Sequence, residues 1–302
     1  MKEKIIIDTD IGDDIDDALA LALAISSPEI ELVGVTTVYK NTLARARIAS
    51  WLVNGTGTAI PVVPGKRMPI SKKKETLLNL DEIPCQYTVE METSPIIQSV
   101  DAVSFLRTML TQSPDPITIV TLGALTNIAV LVQRYPEVIP QIKRIVMMGG
   151  AYYSHIKEYN ICCDPEAADI VFQTGVSVLA VGLDVTLQCK LTEEQIQKLY
   201  HSKADMAVFA SKLIQLYRMR HHGAEIFLHD PLAVAAVFAP SLLEFQQQRI
   251  LVETEGLVTT GMTFNVSASE WWQNEQISHI QVAKAADKVG LVELFLHRLM
   301  GV

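Results

Sequence analysis

The sequence is poor in cysteine. Its 302 residues contain four cysteines, two of them adjacent at Cys162 and Cys163, and neither a CxxC nor an HxxxH pattern occurs. Thiols this few and this irregularly spaced are not typical of a secreted disulfide scaffold or of a zinc site. We therefore predict that the cysteines are buried and chemically inert.

An excess of basic residues is also lacking. The chain has 25 Lys and Arg against 34 Asp and Glu, which gives a formal net charge of −9. Because a nucleic-acid-binding protein needs positive charge to neutralise phosphates, nucleic acid is excluded as an expected partner.

Long apolar runs are absent as well. The densest runs near the N-terminus cover residues 5–7 and 18–25, far fewer than the roughly 20 residues that cross a bilayer. The first run leads directly into acidic residues, and no small-residue cleavage site precedes them, so a signal peptide is not indicated. We expect a cytoplasmic protein without a membrane partner.

What the sequence does contain is an alternation of two apolar patterns. Runs rich in Ile and Val predict strands at residues 5–8, 31–38, 60–63, 117–123, 144–150 and 177–185. Patterns with a period near 3.6 predict helices at residues 17–26, 42–54, 100–111, 125–134 and 165–172. Strands that are apolar on both faces and alternate with helices predict an α/β fold with a mostly parallel open sheet flanked by helices.

The remaining segments depart from this alternation. Residues 64–94 lose the periodicity and predict a loop or a peripheral hairpin. Residues 191–216 predict mainly helix, residues 229–238 predict a further helix, and residues 251–266 alternate like antiparallel strands. Because no Gly/Ser linker separates these additions from the rest, we expect a single domain over residues 1–302, with helical and antiparallel additions towards the C-terminus.

Six carboxylates crowd the end of the first predicted strand. They lie around Gly12, directly ahead of a helical run, and are Asp8, Asp10, Asp13, Asp14, Asp16 and Asp17. A helix N-terminus stabilises one acidic side chain by about 0.3 to 1 kcal/mol, but six would repel one another without a cation. Several carboxylates on a flexible loop favour calcium over magnesium. The cluster therefore predicts a divalent metal site at the end of the sheet, where α/β proteins bind ligands.

An aspartate pair after a first strand also occurs in metal-dependent phosphohydrolases. In that alternative Asp8 would be the nucleophile that attacks a phosphate. The acidic pair Asp16 and Asp17 has no use in such chemistry, so the phosphohydrolase is our second hypothesis.

The segment IIIDTDIGDDIDDALALALA (residues 5–24) resembles the N-terminal signature DxDxGxDDA of the inosine-uridine preferring nucleoside hydrolase family, with two residues inserted before the acidic pair. Five further segments resemble family motifs in the family's order: VGVTTVYKN (33–41), TLGALTNIA (121–129), EYNICCDPEAA (158–168), HDPLAVAA (229–236) and VETEGLVTTGMT (252–263). This resemblance spans essentially the whole chain. It implies the family's fold and the hydrolysis of a ribonucleoside to free base and ribose.

The resemblance also implies roles for individual residues. Calcium would be held by Asp10, Asp17, the backbone carbonyl of Leu122 and Asp230, and ribose would be bound by Asp16, Asn41, Glu158 and Asn160. Asp10 would also act as the general base. Asp14, inside the insertion, either replaces or assists a ligand.

His229 is the candidate acid for the leaving base, because the ordinary pKa of histidine lies near neutrality. A structural histidine is the alternative, since His229-Asp230-Pro231 alone also fits a helix N-terminus with proline in the first turn.

Recognition of the base and of the 5-hydroxyl is less well defined. The loop AYYSHIK (residues 151–157) is shorter than the family's usual loop and lacks an asparagine that commonly contacts the 5-hydroxyl. Aromatic and histidine side chains that could reach a base, or serve only in the core or at subunit contacts, are Tyr152, Tyr153, His155, His221, His222, Trp271 and Trp272. The resemblance further suggests a homodimer or homotetramer. A nucleoside-binding protein without turnover is the third hypothesis.

Overall fold

Strands alternate with helices through the first two thirds of the chain, as the apolar periodicity predicts. The computed structural model describes residues 2–55, 57, 59–70, 78–266 and 278–301. The strands here are β1 (Glu3–Thr9), β2 (Ile30–Thr37), β3 (Val62–Pro64), β4 (Ile117–Thr121), β5 (Ile142–Met148) and β6 (Val178–Val181). The helices are α1 (Asp16–Ser26), α2 (Thr42–Asn54), α3 (Ala102–Gln112), α4 (Thr126–Arg134), α5 (Tyr159–Cys163), α6 (Pro165–Phe172) and α7 (Leu183–Thr186).

The last third supplies the additions expected at the C-terminal end. Its helices are α8 (Glu193–His201), α9 (Asp205–Arg220), α10 (His229–Phe238) and α11 (Lys288–Met300). Its strands are β7 (Lys190–Leu191), β8 (Ile226–Phe227), β9 (Leu243–Val252), β10 (Thr263–Asn265) and β11 (Ser278–Ala286). The sequence patterns do not predict α11. None of the described helices combines the length and the apolar character that crossing a membrane requires.

The central sheet is mostly parallel. Among the described residues it has nine strands in the order β10-β9-β11-β6-β5-β4-β1-β2-β3. Each pair of neighbouring strands in the part of this order from β11 to β3 is parallel. Strand β9 runs antiparallel to both β11 and β10. The chain progresses in one direction from β1 to β3 and in the other from β4 to β6. Such a reversal opens a crevice beyond the carboxyl ends of the strands, where ligands bind.

Helices cover both faces of the sheet because its strands are apolar on both sides. Along β1, Ile5 and Ile7 belong to the core cluster that packs on α1 and α2, whereas Ile6 belongs to the cluster that packs on α3 and α4. Successive side chains of a strand point to opposite faces, which explains the division. All three isoleucines are fully buried, and each contributes about 1.5 to 3 kcal/mol to folding.

The structure corrects one predicted strand. The sequence predicts a strand over residues 177–185, but β6 ends at Val181 and the remaining apolar residues form the short helix α7. The carbonyl of Gly182 accepts hydrogen bonds from the N–H groups of Val185 and Thr186, so the chain turns into a helix before the apolar run ends. The described part of residues 64–94 is loop with one 3-10 turn at Val89–Met91.

Candidate active site

The loop between β1 and α1 brings the acidic cluster to the carboxyl edge of the sheet. Its tight turn is centred on Gly12, whose φ is 126°. A Cβ at this position would lie 2.6 Å from the Cβ of Pro84, so only glycine fits. The Gly12 carbonyl accepts a 3.1 Å hydrogen bond from the Gln86 N–H, which holds the loop against the segment that includes Pro84.

A cavity of about 620 Å³ opens beside this loop, a size typical of small-molecule sites. The predicted site residues that line it are Asp10, Asp14, Asp16, Asp17, Leu122, Glu158, Asn160, His229 and Asp230. They come from four separate segments that meet at one edge of the sheet. Asn41 is not among the described residues lining the cavity. Its side chain accepts a 3.2 Å hydrogen bond from the Ala44 N–H and caps helix α2.

Three buried carboxylates converge at the base of the cavity. Asp16, Asp17 and Asp230 each contribute one carboxylate oxygen, and these three oxygens lie within 4.8 Å of one another. Burial, and then repulsion from neighbouring carboxylates, raises the pKa of each well above its ordinary range. The Oδ1 atom of Asp230 is buried and has no hydrogen-bond partner among the described residues. Because uncompensated buried charge is costly, these hard oxygen donors fit a divalent cation.

Asp10 lies next to this cluster and against the loop after β4. Burial raises its pKa to about 6; the charge of Arg45 opposes this rise, whereas Asp13 and Glu158 add to it. The Leu122 N–H donates a 2.8 Å hydrogen bond to the carbonyl of Asp8. This bond brings the β4–α4 loop up to β1, so the Leu122 carbonyl and the Asp10 carboxylate border the same cavity.

Glu158 and Asn160 line the cavity at the start of α5, beside Leu122. The Glu158 carboxylate accepts hydrogen bonds from the N–H groups of Gly150 (2.9 Å), Asn160 (2.8 Å) and Ile161 (3.0 Å). The Asn160 amide donates to the Leu122 carbonyl at 2.8 Å. Both side chains are therefore held in place before any ligand arrives.

His229 lines the cavity at the start of α10. Its ring stacks on Phe227 with centroids 5.1 Å apart, and its Nδ1 lies 2.7 Å from the Thr186 hydroxyl. Burial lowers the pKa of His229, while the nearby Asp14 opposes the shift. The ring is consequently neutral near pH 7, and Nε2 is the nitrogen left for a ligand.

Further residues line the cavity that the sequence patterns did not single out. They are Lys40, Glu82, Ile83, Cys85, Met148, Lys157, Tyr159, Leu183, Tyr217 and Arg220. Asp13, a member of the predicted acidic cluster without an assigned role, lines the cavity as well. Tyr217 and Arg220 lie one turn apart at the end of α9, and their spacing of three residues on a helix is the only sequence signal that groups them. His221, considered as a base contact, lies beside them.

The other aromatic and histidine candidates lie elsewhere. Tyr152 is buried, with its hydroxyl bonded to the Gly149 carbonyl, and Tyr153 and His155 are exposed. Trp271 and Trp272 fall outside the described residues.

Asp8 does not fit the role of a phosphate-attacking nucleophile. It is fully buried, and its Oδ1 accepts hydrogen bonds from Thr36 at 2.6 Å and from Asn127 at 2.7 Å. A nucleophile must reach its substrate, so this geometry argues against the phosphohydrolase alternative.

The chain is an α/β protein with a mostly parallel sheet, and a carboxylate-lined cavity of substrate size lies at the switch point of that sheet. Residues 5–293 match the sequence model of the family described as inosine-uridine preferring nucleoside hydrolase, and the chain belongs to this family. It is accordingly a hydrolase that acts on the N-glycosyl bonds of ribonucleosides.

Similar proteins agree with this assignment over their whole length. The chain is 35% identical to a probable uridine nucleosidase 2 of Arabidopsis thaliana, covering 99% of this chain and 98% of the relative. It is 34% identical to the pyrimidine-specific ribonucleoside hydrolase RihA of Shewanella baltica, covering 99% and 96%. Among solved structures, the plant nucleoside hydrolase PpNRh1 aligns with a TM-score of 0.87 at 29% identity, covering 100% of both chains. A purine-preferring ribonucleoside hydrolase from Gardnerella vaginalis aligns with a TM-score of 0.82 at 30% identity, covering 99% and 98%.

Proposed function

We propose that this protein is a calcium-dependent nucleoside hydrolase that releases a free base and ribose. The observation that carries the proposal is the convergence of Asp16, Asp17 and Asp230, with the Asp230 Oδ1 lacking a partner among the described residues. Calcium accepts several carboxylates in flexible geometry, whereas magnesium requires a near-ideal octahedron and retains most of its waters. A site this rich in carboxylates therefore favours calcium.

Four groups would hold the cation: the carboxylates of Asp10, Asp17 and Asp230 and the backbone carbonyl of Leu122. Asp16 is close enough to share the ion, and the family resemblance assigns it to a ribose hydroxyl; one carboxylate has oxygens for both tasks. Bound calcium would lower the pKa of a coordinated water and anchor the ribose hydroxyls. Asp14 faces the same cavity and would assist from its rim.

The remaining chemistry belongs to the protein's side chains. Asp10 would accept the proton of the attacking water as general base, because its carboxylate borders the cavity beside the proposed cation ligands Asp17 and Leu122. Positive charge develops on the ribose as the bond to the base breaks. The carboxylates of Asp16 and Glu158 would stabilise this charge, and the backbone hydrogen bonds to Glu158 fix its position in advance.

Release of the base requires a proton or stabilisation of its anion. The neutral ring of His229 would stabilise the anion of the base by donating a hydrogen bond from Nε2–H, since Thr186 engages Nδ1. Tyr217, Arg220 and His221 line the cavity together with His229 and would contact the base. Asn160 would bind ribose, with its amide held on the Leu122 carbonyl. Asn41 would reach ribose only by giving up the hydrogen bond that its side chain accepts from the Ala44 N–H at the start of α2.

Uridine is the first substrate to test, because the names of the Arabidopsis and Shewanella relatives specify uridine and pyrimidine ribonucleosides. Inosine belongs in the same panel, because the Gardnerella structure is titled purine-preferring. Free base and reducing sugar should be measured together, with calcium present and after its removal by a chelator. The wild type should release both in equal amounts only with calcium.

Asp10→Asn is the decisive variant and should lower kcat by about 10²- to 10⁴-fold through loss of the base. Asp101→Asn is the matched control, because Asp101 caps α3 outside the cavity and asparagine caps helices equally well. If no nucleoside is hydrolysed although nucleosides still raise the melting temperature, the protein binds nucleosides without turnover.

Two further expectations remain predictions. The chain should assemble as a homodimer or homotetramer, which light scattering after size-exclusion chromatography would measure. It should also be cytoplasmic, which fractionation of its native cells would test.

A further inference from the structure

Arg45 on α2 is a buried cation beside the acidic cavity. Only 1% of its surface is exposed. Its Nε donates to the Tyr39 carbonyl at 2.9 Å, and its Nη1 donates to the carbonyls of Asp10 and of Ile11, the latter at 3.0 Å. Its Nη2 forms an ion pair with Asp13 at 2.8 Å. One guanidinium therefore ties together the loops that follow β1 and β2.

The backbone that Arg45 holds on the β2 side is strained. Tyr39 and Lys40 both have positive φ, 67° and 57°. Non-glycine residues adopt this region at a cost of about 1 to 3 kcal/mol each, and they remain there only when their surroundings impose it. The hydrogen bond from Nε to the Tyr39 carbonyl is one such restraint, and it sets the backbone of Lys40, whose side chain lines the cavity.

The backbone that Arg45 holds on the β1 side carries the predicted metal ligands. Its Nη1 fixes the carbonyls of two successive residues, Asp10 and Ile11. Its partner Asp13 belongs to the stretch in which the resemblance places a two-residue insertion. Asp17 follows four residues later, so the insertion would lengthen the connection between two proposed ligands, and the Arg45–Asp13 pair closes the lengthened loop.

We propose that Arg45 is a positioning residue that, through Asp13 and the carbonyls of the β1–α1 loop, holds Asp10 and Asp17 in the geometry that binds the divalent cation. The inference rests on the proposed function for the presence of that cation and for Asp10 and Asp17 as its ligands, but not for nucleoside cleavage. Arginine is required because its planar fork reaches several acceptors at once, whereas lysine retains the charge but not the fork.

A purely structural role makes a different prediction. In that case, removal of the fork would destabilise the fold, but the folded fraction would bind the cation with unchanged affinity. Cation affinity, measured on protein that is still folded, therefore separates the two roles. Arg144 provides a matched control: its Nη2 donates to the Val237 carbonyl at 3.1 Å and approaches Glu3 at 3.5 Å, and it does not line the cavity.

The test is calorimetric titration of the chelator-treated protein with calcium, repeated with manganese, on the wild type, Arg45→Lys, Asp13→Asn and Arg144→Lys. Partners that orient metal ligands typically contribute 10- to 100-fold in affinity. We expect Arg45→Lys to weaken cation binding within this range, Asp13→Asn to weaken it less, and Arg144→Lys to leave it at the wild-type value. Each variant is titrated below its own melting temperature.

Wild-type affinity in both Arg45→Lys and Asp13→Asn would overturn the inference. If Arg45→Lys does not fold, Asp13→Asn decides, because it removes the ion pair and leaves the three carbonyl contacts of Arg45 in place. The outcome is independent of turnover. A wild type that binds a divalent cation but cleaves no nucleoside would contradict the proposed function and leave this inference standing.

Discussion

The Asp10 carboxylate packs directly against the backbone of Gly123. A Cβ built on Gly123 would stand 2.8 Å from Oδ1 of Asp10 and 3.0 Å from its Cβ, closer than real Cβ atoms pack. Gly123 therefore has no side chain because the proposed general base occupies that space. The position of the proposed general base is restricted here by a residue that itself carries no functional group.

Gly123→Ala should displace Asp10 while leaving its chemistry intact. A misplacement of about 1 Å can cost a factor on the order of 100 in rate, so we expect kcat to fall by about 100-fold. Overpacking of this buried site should also cost about 1 to 3 kcal/mol of stability. Steady-state kinetics with uridine, or with the best substrate of the panel, would measure the fall in kcat. Gly175→Ala is the control, because its Cβ would meet no atom within 4 Å and its φ of 76° strains the backbone alone. Equal kcat in the wild type and Gly123→Ala would refute the packing argument.

Removal of the metal should make the stability of the protein depend strongly on pH. Burial is the main cause that raises the pKa of Asp8 from 3.8 to about 7 and that of Asp10 from 3.8 to about 6. A carboxyl group whose folded-state pKa is raised binds more protons when folded than when unfolded. The free energy of unfolding should therefore fall as pH rises from about 4 to about 7, by at least a few kcal/mol.

Urea denaturation of chelator-treated protein at pH 5 and pH 8 would test this dependence. Asp8→Asn should reduce the pH dependence, because asparagine does not titrate. Its neutral amide can still accept from Thr36 and Asn127 through its oxygen, so the local hydrogen bonds are kept. A metal-free protein that is equally stable at both pH values would show that these carboxylates are not desolvated as described.

Addition of calcium should restore the stability lost at neutral pH. A ligand present at 100 times its dissociation constant stabilises the folded state by about 2.7 kcal/mol. Asp230→Asn should abolish most of this gain, because Asp230 supplies an unpartnered buried oxygen, and the variant should be at least as stable as the wild type in the absence of metal. Thermal denaturation with and without calcium would measure both effects. A calcium-dependent shift of full size in Asp230→Asn would exclude this residue as a ligand.

Thr186→Val should affect the leaving group selectively. The substitution keeps the shape of the side chain but removes the hydroxyl 2.7 Å from His229 Nδ1, so the ring would no longer be held in one tautomer and orientation. We expect kcat to fall about tenfold with uridine, which needs help with its departing base, and to change little with nitrophenyl riboside, whose leaving group departs without protonation. Equal losses on both substrates would indicate that His229 has a structural role.

The apolar periodicity of the sequence predicted the helices whose ends are determined by nearby residues. The predicted ranges for α2, α6 and α10 match the structure at both ends, since each helix has its own apolar repeat and a distinct start signal such as Asn41 or Pro165. The predicted end of β6, residue 185, was wrong, because the apolar run over residues 177–185 fits a strand or a buried helical turn equally well. The tertiary surroundings of Gly182 decide between them.

The acidic loop was recognisable from sequence because its six carboxylates are close together in the chain. The Arg45–Asp13 pair was not, because its members are 32 residues apart and nothing local links an arginine inside a helix to an aspartate in an earlier loop. The contribution of α9 was missed for the same reason. Its pattern predicts a helix but not that the last turn, with Tyr217 and Arg220, borders the cavity.

Within the part of the chain that the structure describes, both outer strands of the central sheet are very short. On one side β3 has three residues and ends at Pro64, and on the other β10 also has three residues. Strands this short offer few free backbone groups to a neighbouring chain, and proline removes a donor altogether. We therefore expect the proposed oligomer to assemble through side chains on helices and loops and not by extending the sheet from one molecule to the next. The same feature would also protect the protein from ribbon-like aggregation.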